Sequence, residues 1–260
     1  MMSDYSEKLD QAIHFIQKAK YIIAFTGAGI STPSGIADFR SPTNGLWTKS
    51  DPMKVASLTT FRKNPQYFYQ WLRPLAIDVN NAMPNPAHLG LAALETKGIL
   101  KAVITQNIDG LHQRAGSRKV IELHGSMDRF VCPACQKVYT SDQMTSFTFE
   151  DSIPHCLDCQ SILKPDIILF EEMLPKGAWD EAQRQCRLCD LMIVMGSSLS
   201  VYPAASIPET ALTDGKKVIL VNLMPTPLDD EMGLVLTEDV AKVVPDLLNQ
   251  YFPHTTAPNQ

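Results

Sequence analysis

The sequence predicts an α/β protein: a parallel β-sheet covered on both faces by helices, with a second, smaller lobe. Three observations carry this. Short, continuous apolar runs recur along the chain: YIIAFT (21–26), KAVIT (101–105), DIILF (166–170), LMIVMG (191–196) and KVILVN (217–222). Unbroken, β-branched runs of this length signal strands buried on both faces, which is the parallel case. Apolar residues at helical spacing fill several of the intervals, giving the alternation of an α/β fold. Residues 42–86 and 126–164 break the rhythm and read as insertions. The first is rich in prolines and aromatics; the second carries four cysteines and short polar stretches.

The elements follow in order. Leu9, Ala12, Ile13, Ile16 and Ala19 form the apolar stripe of a first helix, with His14 on its outer side. YIIAFT is the first strand and ends at a glycine. Leu89 to Leu94 and Ala178 to Cys189 have helical spacing. In the second of these, Ala178, Ala182, Cys186 and Cys189 share one stripe, so this CRLC pair is expected to pack in the core as small hydrophobes. The tail PHTTAPNQ is expected to be disordered.

Composition excludes several function classes. The 260 residues carry a net charge of −5, with 45% apolar and 20% charged residues. Nothing there favours nucleic acid or an anionic membrane as partner. The N-terminus lacks the basic start and apolar stretch of a secretory signal, and no apolar run approaches a membrane span. All six cysteines fall in CxxC pairs, which without an export signal point to metal or redox chemistry and a cytoplasmic protein.

Five motifs carry possible chemistry. GAGISTPSGIADFR (27–40) follows the first strand, and Gly27 and Gly29 would let backbone approach a phosphate at a helix start. The pattern is GxGxxT, so a glycine turn without a ligand stays open, and the acidic residue of an ordinary NAD dehydrogenase is missing from its usual place. CPAC and CLDC place Cys132, Cys135, Cys156 and Cys159 in a C-x2-C-x20-C-x2-C pattern, the spacing of a structural zinc ribbon. TQNIDGLHQRAG (105–116) and ELHGS (122–126) follow the KAVIT strand, where ligands of α/β sheets bind. Gln106, Asn107 and Asp109 offer directed hydrogen bonds there, and His124 is a candidate general base. His112 is expected to order local structure. GSSLSVYPAA (196–205) and VNLMPTP (221–227) follow two further strands; Ser197 and Ser198 could bind phosphate or ribose or merely cap a helix.

Taken together and in this order, these motifs resemble the sirtuins, the NAD-dependent protein lysine deacylases, from about Leu9 to about Leu248. The resemblance implies a Rossmann-like NAD-binding domain (1–41, 87–125 and 165–260) and a small lobe. The small lobe would combine a helical module (42–86) with a zinc-ribbon module (126–164), and the active site would lie in the cleft between. It implies that NAD is consumed: nicotinamide leaves, the acyl oxygen attacks the ribose C1′, and O-acyl-ADP-ribose forms. By the same resemblance His124 is the general base, and Asn107 and Asp109 hold ribose and nicotinamide amide. Ile108 lines the nicotinamide pocket and Gln106 bonds ribose. Gly27, Ala28, Gly29, Thr32, Asp38, Phe39 and Arg40 would contact NAD from the first motif, with Phe39 shielding C1′. Gly196, Ser197, Ser198, Asn222 and Val240 would bind the rest of the dinucleotide. The four cysteines would hold structural zinc, and the partner would be an acylated-lysine peptide.

Departures from the family pattern concern the substrate side. Members that remove acidic acyl groups carry Tyr-x-x-Arg, whereas the matching stretch here reads Tyr69-x-x-Leu72 with Arg73 one step, about 100°, further round the helix. Neutral acyl groups, acetyl first, are therefore expected, with Tyr69, Phe170 and Glu171 as substrate-side residues. Glu171 replaces a usual glycine on the strand with which the peptide would pair. Its side chain would crowd the peptide or favour basic residues beside the target lysine. The competing readings are a sirtuin-fold mono-ADP-ribosyltransferase or NAD glycohydrolase, and a non-catalytic zinc-ribbon binding module.

Overall fold

The runs at 22–26 and 191–195 lie side by side at the centre of the molecule. The computed structural model describes residues 4–38, 45–48, 51–140, 143 and 153–252. Phe39, Arg40 and the tail 253–260 lie outside the described residues. The first half contains α1 (Asp4–Lys18), β1 (Ile22–Thr26), α2 (Pro52–Val55), α3 (Leu58–Lys63), α4 (Pro65–Asn81), α5 (Pro86–Thr96) and β2 (Leu100–Thr105). Then come α6 (Leu111–Arg114), β3 (Val120–Glu122), β4 (Gly125–Val131), β5 (Val138–Thr140) and β6 (Lys164–Ile167). The chain continues through α7 (Lys176–Leu188), β7 (Leu191–Met195), α8 (Ser206–Thr213), β8 (Lys217–Val221), β9 (Leu234–Leu236) and α9 (Val240–Tyr251).

Six strands form one sheet in the order β3-β2-β1-β7-β8-β9, with every neighbouring pair parallel. Successive side chains point to opposite faces, and both faces are covered. Ile22, Ala24, Val103, Ile193 and Ile219 pack with residues of α1, α5 and α9. Ile23, Phe25, Ile104, Val194 and Leu220 pack with residues of α7 and α8 on the other side. Cys186 and Cys189 belong to this second core, where their thiols donate to the backbone carbonyls of Ile207 and Cys186.

The small lobe has its own sheet, β5-β4-β6, and it is antiparallel. This corrects the placement of DIILF among the parallel strands. Its first residues complete β6, whose burial alternates, with Pro165 and Ile167 inward and Lys164 and Asp166 half out. A strand covered on one face shows that alternation. Phe170 lies beyond β6 and forms an isolated bridge with Ser57.

Between residues 51 and 81, Pro52 and Pro65 start helices, and Pro74 lies within α4. Asp51, Ser57 and Asn64 cap α2, α3 and α4 through their side chains, and Pro52 and Pro65 occupy the first helical positions. The inner face of α4, with Phe68, Tyr69, Leu72 and Ala76, packs on Phe61, Met127, Ile167 and Leu169. No helix among the described residues is long and apolar enough to cross a membrane.

Candidate active site

From β1 the chain moves out to β2 and β3, then returns to β7 on the other side of β1. The loops leaving β1 and β7 diverge at such a switch point, and the crevice lies at the strands' carboxyl ends. A cavity of about 960 Å³ opens there. Its walls come from the ends of β1, β2, β7 and β8, from α4, and from the stretch after β6.

The cavity floor is backbone against backbone. The Gly29 N–H donates to Gly196 O at 2.8 Å, and Gly27 N–H donates to Met195 O at 3.1 Å. Gly196 has φ +62°, and a Cβ there would lie 2.2 Å from Ile30 N. A side chain has no room, so the loops of β1 and β7 stay in contact and the glycine turn lies beside the crevice, with its Gly27 and Gly29 amides spent on that contact.

His124 stands on the wall, half-buried. Its carbonyl accepts from Ile168 N–H at 2.9 Å. Gly125, with φ +75°, follows it, and a Cβ there would come within 1.9 Å of Asp166 O. That close approach of β4 to β6 is why a glycine must follow the histidine. The ring nitrogen Nδ1 lies 2.8 Å from Gln106 O. A carbonyl only accepts, so Nδ1 carries the proton and Nε2 keeps its lone pair. Burial pulls the ring's pKa below the ordinary histidine value, against the opposing hydrogen bond to Gln106. That is the form a general base needs near pH 7.

Asn107 and Ile108 also line the cavity, but Asp109 does not. Asn107 Nδ2 donates to Gly27 O and to Ser31 Oγ, both at 3.1 Å. Ser31 Oγ in turn donates to Asp109 Oδ2 at 2.6 Å, and Leu111 N–H donates to Oδ1 at 2.9 Å. Asp109 is buried and its pKa is raised by burial, against the hydrogen bonds from Ser31 and Leu111. It therefore sits behind Ser31, and the chain of bonds meets the cavity at Asn107. Ser31 was missed in the sequence; the signal was a hydroxyl inside the glycine turn, one residue before Thr32. His112 is also away from the cavity, with Nε2 2.9 Å from Thr26 Oγ1.

Gly27, Ala28, Gly29, Thr32, Asp38, Gln106, Gly196, Ser197, Ser198, Asn222 and Val240 all line the cavity, as do Phe170 and Glu171. Gln106 Nε2 donates to Ser197 Oγ at 2.9 Å, which links β2 to β7 across β1. Tyr69 requires correction. It is 1% exposed, its hydroxyl donates to Leu163 O at 2.5 Å, and it does not reach the cavity. The wall from α4 is instead Trp71 and Leu75, one helical turn apart at the edge of its buried face. Tyr202, Leu223 and Met224 add an apolar rim that the sequence did not single out.

A second site lies in the small sheet. The four sulfurs of Cys132, Cys135, Cys156 and Cys159 all lie within 4.8 Å of one another. Cys132 and Cys159 approach to 3.4 Å, and Cys135 and Cys156 to 3.6 Å. A tetrahedral site with Zn–S of about 2.3 Å has sulfur–sulfur edges of about 3.8 Å. The cluster fits zinc, and four thiolates close its shell, so the ion would serve folding rather than catalysis. Phe130, Tyr139 and Leu163 pack around the two buried cysteines.

Residues 27–203, which span the glycine turn, the histidine and the four cysteines, match the sequence pattern of the Sir2 family. The chain belongs to the Sir2 family. Among its relatives is NAD-dependent protein deacylase 2 of Archaeoglobus fulgidus, 43% identical over 245 residues, covering 94% of this chain and 96% of the relative. The NAD-dependent protein deacetylase of Thermotoga maritima is 43% identical over 235 residues, covering 90% and 95%. Solved Sir2 structures superpose closely. One, determined for the mechanism and regulation of Sir2 enzymes, has a TM-score of 0.89 at 42% identity, covering 95% of this chain and 99% of that one. A Sir2 solved with deacetylated p53 peptide and 3′-O-acetyl-ADP-ribose has a TM-score of 0.88 at 41% identity, covering 93% and 98%.

Proposed function

We infer that this Sir2-family chain is an NAD-dependent protein lysine deacylase, acetyl groups first, with His124 as its general base. The observation that carries the assignment of the base is the His124 tautomer: Nδ1–H is committed to Gln106 O, and the ring stands on the wall of the glycine-floored cavity. Bound NAD supplies the ADP-ribosyl group that receives the acyl group. Nε2 of His124 takes up the ribose hydroxyl proton. The glycine turn, Ser197, Ser198 and Asn222 hold the dinucleotide, and Asn107, oriented by Ser31 and Asp109, holds its nicotinamide half. The acyl-lysine peptide runs along residues 168–171.

In this reading residues 1–41, 87–125 and 165–260 bind NAD, and 42–86 with 126–164 form the lobe that walls the other side. The apolar wall of Trp71 and Leu75 favours neutral acyl groups, since an acidic one would lose its hydration there and no lysine or arginine lines the cavity among the described residues. A cytoplasmic setting, where a four-thiolate site stays reduced, belongs to the same reading.

The test is mass spectrometry of an acetyl-lysine peptide incubated with enzyme and NAD. Deacetylated peptide and O-acetyl-ADP-ribose should form in equal amounts. NAD breakdown that does not depend on the acyl group would identify a glycohydrolase instead, and ADP-ribose attached to protein would identify a transferase.

A further inference from the structure

The corner after β6 carries two adjacent carboxylates, and each has its own anchor. Glu172 Oε2 accepts from the Leu169 N–H at 2.9 Å and pairs with Lys164 Nζ at 2.9 Å, closing the turn on itself. Glu171 points the other way. Its Oε2 accepts from the Thr59 N–H at 2.8 Å and from Thr59 Oγ1 at 2.7 Å. Thr59 lies in the first turn of α3, where a backbone N–H has no acceptor within the helix.

Glu171 also has φ +77°, a conformation that side chains other than Gly, Asn and Asp rarely adopt. Such a residue persists only where its surroundings over-determine it. Here they do. Phe170 N–H donates to Ala56 O at 3.0 Å, Leu58 N–H donates to Phe170 O at 3.1 Å, and the two carboxylate bonds follow immediately. The corner is thus stitched to residues 56–59 on one side while Phe170 faces the cavity on the other.

The same contacts decide between two roles for the carboxylate. Thr59 already supplies two donors to one oxygen, and Arg62 and Lys63 add nearby positive charge. A carboxylate so engaged attracts a basic substrate residue weakly. Its two bonds to Thr59 tie the corner to α3.

We propose that Glu171 is a positioning residue for the acyl-peptide. Its clasp on Thr59 fixes the corner Leu169–Glu172, and so sets where Phe170 and its neighbours meet the substrate, without reading the substrate's charge. The proposal rests on the reading above in placing the peptide along residues 168–171. Thr59 and Glu171 act as a matched pair: the clasp replaces the conformational licence that a glycine would provide at this φ.

The experiment is steady-state kinetics of the full-length enzyme on acetyl-lysine peptides with basic, neutral and acidic flanks. The variants are Glu171→Ala, Glu171→Gln, Thr59→Ala and the Glu171→Ala/Thr59→Ala double. Glu171→Ala should raise the peptide KM about fivefold or more on every flank, the scale of losing charge-assisted hydrogen bonds. kcat and the KM for NAD should stay within about twofold. Thr59→Ala should move the peptide KM in the same direction, and the double variant should be no worse than Glu171→Ala, because the two residues make one contact. Glu171→Gln, whose amide oxygen can still accept, should recover part of the loss. A KM change confined to basic peptides, or a silent Thr59→Ala beside a strong Glu171→Ala, would overturn the clasp in favour of direct contact. A wild type that leaves every acyl-peptide untouched sinks the function reading and the proposal with it. A wild type that turns over, matched by Glu171→Ala, sinks the proposal alone.

Discussion

His124 Nδ1 and the backbone oxygen of Gln106 meet at 2.8 Å, and the side chain of the same Gln106 donates to Ser197 Oγ at 2.9 Å. His124 is thereby tied through one residue to the loops of β2 and β7. Its ring cannot turn over without breaking the bond that leaves Nε2 unprotonated. Replacing His124 with alanine should cut deacylation by about 10²–10⁴-fold, the usual worth of a positioned general base. Circular dichroism should show the fold intact. Because burial lowers the ring's pKa, the acid limb of kcat/KM should lie below the ordinary histidine value. Activity is then present above that limb and lost as pH falls through it.

Chelating the metal, or Cys156→Ser, should unfold the small sheet, because its core residues pack directly around the buried cysteines. Metal analysis should return one zinc per chain for wild type and a sharp loss for Cys156→Ser. Cys186→Ser should keep its zinc, since that thiol lies in the main core.

His88 and His112 meet edge to face, 4.9 Å between ring centroids, both fully enclosed. Burial, aided by the Arg114 charge, pushes His88 down to about 4. Burial, aided by His88, pushes His112 down to about 3. The unfolded chain takes up these protons near 6.5, well before the folded one. Their contribution is therefore complete above about pH 6.5 and declines as pH falls toward the folded values, by up to roughly 1.4 kcal/mol per pH unit for each ring. Urea midpoints measured between pH 7.5 and 4.5 should show this slope, and His112→Gln should flatten it.

Gly196→Ala should abolish NAD binding or destabilise the fold by roughly 2 kcal/mol or more. The added methyl meets main-chain atoms that cannot move aside. Calorimetric titration with NAD and a thermal melt read the two effects separately. Gly177→Ala, where nothing lies within 4 Å, is the neutral control.

Desuccinylation should run well below deacetylation on matched peptides, given the Trp71 and Leu75 wall. Leu75→Arg should narrow that gap by placing a cation on the wall. Comparing kcat/KM for the two acyl groups measures it.

Much of this was legible in the sequence, for physical reasons. Strands β1, β2, β7 and β8 are buried on both faces, so each reads as an unbroken apolar run. The four cysteines declare themselves by spacing, and Cys186 and Cys189 by their place on a helix stripe with Ala182. What failed depended on contacts distant in sequence. DIILF is apolar enough for a parallel strand, and only its pairing with β4 reveals the antiparallel one. Edge strands β3 and β9, three residues each, are too short to show a period. Tyr69 went astray because spacing along α4 does not say which stripe meets the cavity; packing on Phe61 and Phe68 turned it inward. Glu171 was visible as a departure, but its φ and its Thr59 partner exist only in three dimensions.

The backbone floor between Gly29 and Gly196 has a consequence for how this enzyme can change. At Gly27, Gly29 and Gly196 any side chain would run into main-chain atoms. Change enters more readily from the walls and rim, at Trp71, Leu75, Glu171, Tyr202 or Met224. The glycine floor is thus closed to substitution, while the walls keep side chains that can be exchanged.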